Sequence, residues 1–268
     1  MKVFIAVDLE GVGGYVKWDA ADRQRERELI TGEANAAIAG VFDAGASEVL
    51  VTEAHANMRN IIPEKIDARA MFLSGQPKPQ NHMAGIDESF DAALLVAYHA
   101  RSGALHAVMA HTYSLSIFSL KFNDIEVGEI GADAAIAGYY GVPVVLVSGD
   151  GAACAEAQEL LGDIETVRVK EGVSRTAARC YPVERARELV HEGARRAVAN
   201  VARIQPFAID GPVRTEIAFA EPSPADNIAF LPFVERLDGR TVTFTCDDSL
   251  QAFETFNALH FLASSRPS

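Results

Sequence analysis

The chain has 268 residues, 49% hydrophobic and 23% charged, the balance of a globular protein rather than a disordered or fibrous one. Its 24 basic and 37 acidic residues leave a net charge of -13, which repels a phosphate backbone and argues against a nucleic-acid partner. Cys154, Cys180 and Cys246 are widely spaced and form no CxxC, so neither a disulfide framework nor a zinc knuckle is expected. The amino terminus enters strand-like sequence at once and no apolar run reaches membrane-spanning length, so the expectation is a cytoplasmic protein without a membrane partner.

Val3 to Val7 is a continuous apolar, β-branched run that ends in charged and glycine-rich sequence, the pattern of a buried strand feeding a functional loop. A helix is predicted over 23–44, where Leu29, Ala36, Ala37 and Val41 fall near helical spacing and Gly45 supplies a stop. Strands are predicted at 48–52, 70–73, 92–97, 107–110 and 143–147, with a helix over 131–140. This alternation argues for an α/β fold, a mainly parallel sheet flanked by helices. After Lys170 come an amphipathic segment over 174–201, a proline-rich stretch over 221–232, strand-like runs at 213–220 and 241–246, and a helix over 250–262. The expected organisation is a catalytic α/β domain over 1–171 and a smaller C-terminal α+β portion over 172–268 packed on it.

In parallel sheets functional residues gather beyond the carboxyl ends of the strands. Asp8 and Glu10 follow the first strand two positions apart, so on extended backbone both point to one side, with Cα atoms about 6–7 Å apart. Alone, the pair also reads as a turn-capping Asp beside an exposed Glu. Other strand ends carry side chains of the same kind: Glu53-Ala54-His55, Tyr98-His99-Ala100 and Met109-Ala110-His111. Glu129, in Val127-Gly128-Glu129-Ile130-Gly131, opens a predicted helix, where a carboxylate also favours the helix dipole. Together these oxygen and nitrogen donors suit zinc or a similar first-row ion.

Other patterns fall short. His191-Glu192 lacks the second histidine of a zinc helix, and Ser148-Gly149-Asp150 lacks the first glycine of a nucleophile elbow. Gly11, Gly13 and Gly14 miss the dinucleotide fingerprint and read as a tight turn. His191 and His260 read as helix-face residues, and His82 and His106 as possible supports or substrate contacts.

The segments Val7-Asp8-Leu9-Glu10-Gly11, Glu53-Ala54-His55, Tyr98-His99-Ala100-Arg101, Met109-Ala110-His111 and Val127-Gly128-Glu129-Ile130-Gly131, in this order, resemble the DppA-type D-aminopeptidase family. Leu73-Ser74-Gly75 and Val142-Pro143-Val144 extend the resemblance, which weakens after about residue 205. It implies a zinc peptidase acting on short peptides or aminoacyl amides with an N-terminal D-residue, and a homo-oligomer, a decameric ring in that family. It further implies two zinc ions held by Asp8, Glu10, His55, His99 and Glu129, with Asp8 bridging and His111 as the catalytic residue. Glu53 stands where the family often has Asp, and the stretch between His99 and His111 is one residue longer. Two alternatives remain: a haloacid-dehalogenase-type phosphatase using Asp8 with Ser148-Gly149-Asp150-Gly151, and a non-enzymatic α/β binding protein.

Overall fold

A computed structural model describes residues 1–264. Its main sheet has seven strands, β1 (Lys2–Val7), β2 (Glu48–Glu53), β3 (Met71–Leu73), β4 (Ala92–Tyr98), β7 (Val144–Asp150), β8 (Glu165–Ser174) and β9 (Ala177–Cys180), in the order β3-β2-β1-β4-β7-β8-β9. All neighbours are parallel except the β8–β9 pair. The central strands are buried on both faces, which is why β1 and β4 read as unbroken apolar runs without alternation. On one face Val3, Ile5 and Val7 pack with Leu29, Ile30 and Ile38 of α1 (Arg23–Asp43) and Val190 of α4 (Val183–Ala199). On the other, Phe4, Leu95 and Tyr98 pack with α2 (Glu129–Tyr139) and α3 (Gly151–Leu161).

A second, antiparallel sheet completes that layer. Its order is β11-β12-β10-β5-β6, from β5 (Ile117–Phe122), β6 (Ile125–Val127), β10 (Val213–Phe219), β11 (Glu235–Arg236) and β12 (Thr241–Cys246). Helices α5 (Pro222–Ile228) and α6 (Ser249–Ala263) pack beside it. Thr215 of β10 pairs with Phe122 of β5, so this sheet draws strands from both sides of the expected boundary at residue 171. Helix α4 likewise lies on α1 and β8. The last residues of the expected C-terminal portion, 265–268, lie outside the described residues.

Two expected elements differ. Residues 107–110 are a buried loop, not a strand: Val108 N–H donates to the Asp150 carboxylate at 2.6 Å and Met109 N–H to the Arg175 carbonyl at 2.9 Å, in place of a ladder. The segment 174–201 begins as the β8–β9 hairpin and becomes helical only after Pro182, whose ring cannot continue a strand ladder but can open a helix.

Strand register places the site. Val7 stands opposite Glu53 of β2 and Val96 of β4, so the segments that follow β1, β2 and β4 emerge at one level. Asp8, His55 and His99 all lie there.

Candidate metal centre

The turn after β1 is pressed onto the end of β4. Gly11 N–H donates to the Ala97 carbonyl at 2.7 Å, and a Cβ on Gly11 would stand 2.2 Å from the Tyr98 carbonyl oxygen. Only glycine permits that approach, which folds Glu10 back over the strand ends. Ala97 takes φ 61°, a left-handed conformation that costs an alanine about 1–2 kcal/mol. Its N–H donates to Ser148 Oγ at 2.8 Å, and the ladder to β7 breaks between Leu95 and Tyr98, which turns His99 out at the end of β4. The loop carrying Glu10 is fastened from below by Lys170 of β8. Its buried ammonium donates to the Glu10 carbonyl, to Val12 O at 2.9 Å and to Tyr15 O at 2.6 Å.

The structure brings Asp8, Glu10, His55, His99, His111 and Glu129 into one cluster. His99 Nε2 is 3.5 Å from Asp8 Oδ2 and 3.4 Å from Glu129 Oε1. His55 Nδ1 is 2.9 Å from Glu10 Oε2 and 3.4 Å from Asp8 Oδ1. His111 stacks on His99 with ring centroids 4.0 Å apart, its Nε2 3.7 Å from Glu129 Oε1. Glu129 also accepts the Tyr113 N–H at 2.7 Å. Asp8, Glu10, His55, His111 and Glu129 line a cavity of about 320 Å³ whose wall includes Trp18, the chain's single tryptophan.

Burial costs these groups heavily unless something compensates. Burial, reinforced by Glu10, pushes the Asp8 carboxyl above the usual carboxylate range. Burial would raise Glu10 as well, but the imidazoles of His55, His99 and His111 outweigh it and hold that carboxyl well below its ordinary value. Glu129 is lowered in the same way, burial being overcome by His99, His111 and His82. Burial would lower His55 and His99, yet the surrounding carboxylates raise them to about 11 and about 10. His111 goes the other way: burial and the neighbouring His99 lower it, so this ring is neutral near pH 7. In the metal-free protein, protons on imidazoles thus offset buried carboxylates.

The donor set fits a zinc-type ion. Among the described residues, Asp8 Oδ2 and His99 Nε2 are buried without a hydrogen-bond partner. Ligand bonds of about 2.0–2.2 Å at a tetrahedral ion put neighbouring donors about 3.3–3.6 Å apart, and the His99–Asp8 and His99–Glu129 separations match that spacing. His99 Nδ1 lies 2.9 Å from the Ala100 carbonyl and His111 Nδ1 2.9 Å from the Met109 carbonyl. Donation there fixes the proton on Nδ1, so that Nε2 of each ring presents its lone pair to the cluster once it has lost its own proton. Asp8, Glu10 and His99 form one trio of donor atoms within 4.8 Å of one another, and His99, His111 and Glu129 another.

Several participants are missing from the sequence reading. Trp18 Nε1 donates to Glu10 Oε1, and its ring meets His111 edge-on at 5.5 Å. Asp133, fully buried in α2, accepts from Tyr98 at 2.7 Å and Tyr113 at 3.0 Å, with His82 Nδ1 at 3.0 Å. Asp133, four residues after Glu129, was detectable as a carboxylate on the same face of an apolar helix. Nothing local marks Lys170. Glu53 accepts from Asn60 N–H and Ser74 Oγ, and Asn60 Nδ2 donates to the His55 carbonyl at 2.9 Å, so Glu53 steadies the loop bearing His55. His106 is exposed, His191 pairs with Asp43 at 2.8 Å, and Asp150 is occupied in capping α3 at Ala153 and holding Val108. The late magnesium role that the phosphatase alternative needs is therefore unfilled.

A family model described as D-aminopeptidase matches residues 1–258. The chain belongs to the D-aminopeptidase family. A D-aminopeptidase of Bacillus subtilis (strain 168) is 36% identical over 270 residues, covering 98% of each chain. A solved structure, the Zn-dependent D-aminopeptidase DppA from Bacillus subtilis, a self-compartmentalizing protease, matches with a TM-score of 0.96 at 34% identity over 100% of both chains. This D-aminopeptidase chain has the expected α/β fold, and its charged cluster sits at the carboxyl ends of β1, β2 and β4.

Proposed function

We propose that this chain is a zinc aminopeptidase that removes N-terminal D-residues from short peptides or aminoacyl amides. The observation that carries this reading is the convergence of Asp8, Glu10, His55, His99 and Glu129, with Asp8 Oδ2 and His99 Nε2 buried and unpartnered. These residues would hold two zinc ions, Asp8 lying between His55 on one side and His99 on the other. When bound, zinc supplies a Lewis acid that polarises a carbonyl and acidifies water.

His111 is the proton carrier in this reading. Its neutral ring stands at the cavity wall, oriented through Met109 O and stacked on His99, with Nε2 directed inward. Nε2 accepts the proton of the attacking water and returns it to the leaving amine, so the ring ends each cycle neutral. The carboxylates offer a place for the substrate's ammonium, the reason for a preference for free amino termini. Trp18 and Tyr113 narrow the cavity around the reacting centre.

A second reading has its own support, because His111 shares a donor trio with His99 and Glu129 and could serve as a ligand. His111→Ala separates the two: zinc content is unchanged if the ring carries protons and falls if it ligates. The substrate reading is tested by hydrolysis of matched D- and L-aminoacyl amides and dipeptides, with zinc and after chelation. D-selective, chelator-sensitive cleavage is expected; phosphate release from a phosphoester without peptide cleavage would overturn it. Assembly into a homo-oligomer, supported by the self-compartmentalizing relative, predicts a particle several times the 28.8 kDa chain mass by light scattering. A cytoplasmic location completes the proposal; no helix among the described residues is long and apolar enough to cross a membrane.

A further inference from the structure

A second cavity, of about 250 Å³, adjoins the charged one. The two share Ala54, Ala56, His82 and Tyr113 as a common wall, so they are compartments of one cleft. Their chemistry differs. The first is lined by Asp8, Glu10 and Glu129, whereas among the described residues neither a carboxylate nor a lysine or arginine lines the second. Its distinct walls are Met58, Gln76, Asn81 and, from the end of α6, His260 and Phe261. His260 Nδ1 is buried without a partner among the described residues, and burial lowers this imidazole, which leaves it neutral. The wall is held in shape by Asn257, which joins α6 to the loop 78–81 through the carbonyls of Lys78 and Pro79 and the amide of Asn81. His82, stacked on Tyr113 and tied to Asp133, is fixed between the compartments.

We propose that this second compartment receives the side chain of the substrate's first residue, accepts neutral side chains, and sets both size and handedness through Phe261 and His260. The inference rests on the aminopeptidase reading above. With the substrate's ammonium drawn to the carboxylates and its carbonyl at the cluster beside His111, two of the four bonds at Cα are directed. The peptide geometry then leaves the side chain and the hydrogen to exchange places between D and L forms. In one enantiomer the side chain is directed toward the wall that the two compartments share, in the other away from it. A charged side chain entering this neutral compartment would lose water without gaining a partner.

The test uses zinc-loaded full-length protein with the D- and L-amides of alanine, leucine, phenylalanine, aspartate and lysine. Phe261 is half exposed, so Phe261→Ala and Phe261→Trp leave the chain folded. Wild type favours neutral over charged side chains by about tenfold or more in kcat/KM. Phe261→Ala lowers kcat/KM for leucine and phenylalanine amides about tenfold relative to alanine amide, mainly through KM, and narrows the D/L ratio. Phe261→Trp penalises phenylalanine amide most. Zinc content stays the same in all three proteins. Equal changes across every side chain, or no change, would overturn the proposal. Binding of D-leucinamide and D-alaninamide, followed by the fluorescence of Trp18 at the mouth of the first compartment, gives a reading independent of turnover. If wild type cleaves none of the amides, the aminopeptidase reading fails, while a preference for D-leucinamide that Phe261→Ala abolishes still supports the side-chain compartment, and identical binding in both proteins rejects it.

Discussion

A larger cavity and the charged cleft stand at opposite ends of the main sheet, and their contrast identifies what makes a site. The larger, about 410 Å³, lies at the amino ends of β7 and β8 beside Val145, Asp163, Glu165 and Arg203. It contains ionisable groups, but Glu165 is already paired with Arg196 at 2.5 Å, and nothing converges on a common point. The smaller, at the carboxyl ends, gathers buried carboxylates and imidazoles, and among the described residues Asp8 Oδ2 and His99 Nε2 of this cluster are left unpartnered. Volume is permissive; convergent, unsatisfied polar atoms are informative, because burying them is costly unless a ligand repays it.

The strongest way to break this contrast is His99→Ala. It removes a donor shared by both trios, and zinc affinity is expected to fall by more than about 100-fold, beyond the loss typical of a supporting residue, with kcat/KM falling at least as far. Elemental analysis alongside amide hydrolysis measures both. Next comes His111→Ala, expected to lower kcat by about 10²–10⁴-fold with zinc retained. A pH profile whose rising limb disappears in the variant would assign that limb to this ring. Lys170→Met removes the ammonium that the carbonyls of Glu10, Val12 and Tyr15 share, so zinc affinity should drop roughly 10–100-fold although Lys170 contributes no ligand atom. Partial rescue by Lys170→Arg, read in zinc affinity rather than melting temperature, distinguishes positioning from bulk stability.

A gentler effect follows from the protons. In the metal-free protein His55 and His99 keep theirs to about 11 and about 10, against about 6.5 in an unfolded chain. Their stabilising contribution is complete below about pH 6.5 and is lost as pH rises through the folded values. Chelated protein should therefore melt at lower temperature as pH climbs from 6 to 9.5. Zinc requires the deprotonated rings, so its affinity rises over the same window, and binding releases protons measurable by calorimetry in buffers of different ionisation enthalpy. Smallest of all is Arg203→Ala in the larger cavity, expected to shift stability by no more than about 0.5 kcal/mol and to leave zinc content and turnover unchanged. A substantial loss of activity there would undo the contrast.

What the sequence made readable follows the same division. Strands β1, β2 and β4 are buried and parallel, so they announce themselves as apolar runs, and Asp8, Glu10, His55 and His99 stand where those runs stop. Glu129 and His111 were legible through their local segments and the family resemblance. The loop 107–110 looked like a strand because its residues are equally buried; its backbone partners, Asp150 and Arg175, are remote in sequence. The second sheet was half visible, since β10 and β12 read as strands while β5, which pairs with β10, carries Ser119 and Lys121 among its apolar residues. Lys170 illustrates the remaining limit: it acts on Glu10 across 160 positions, and nothing in its own segment marks it. Trp18 and the Asp133 network with His82, Tyr98 and Tyr113 are likewise relations between distant segments, which no local pattern encodes.

The most direct measurement is zinc stoichiometry of purified, zinc-supplemented protein, compared between wild type and His99→Ala. The account predicts about two zinc ions per wild-type chain, as a two-metal hydrolase requires, and a clear loss in the variant. No zinc in wild type, or equal zinc in both proteins, would contradict it.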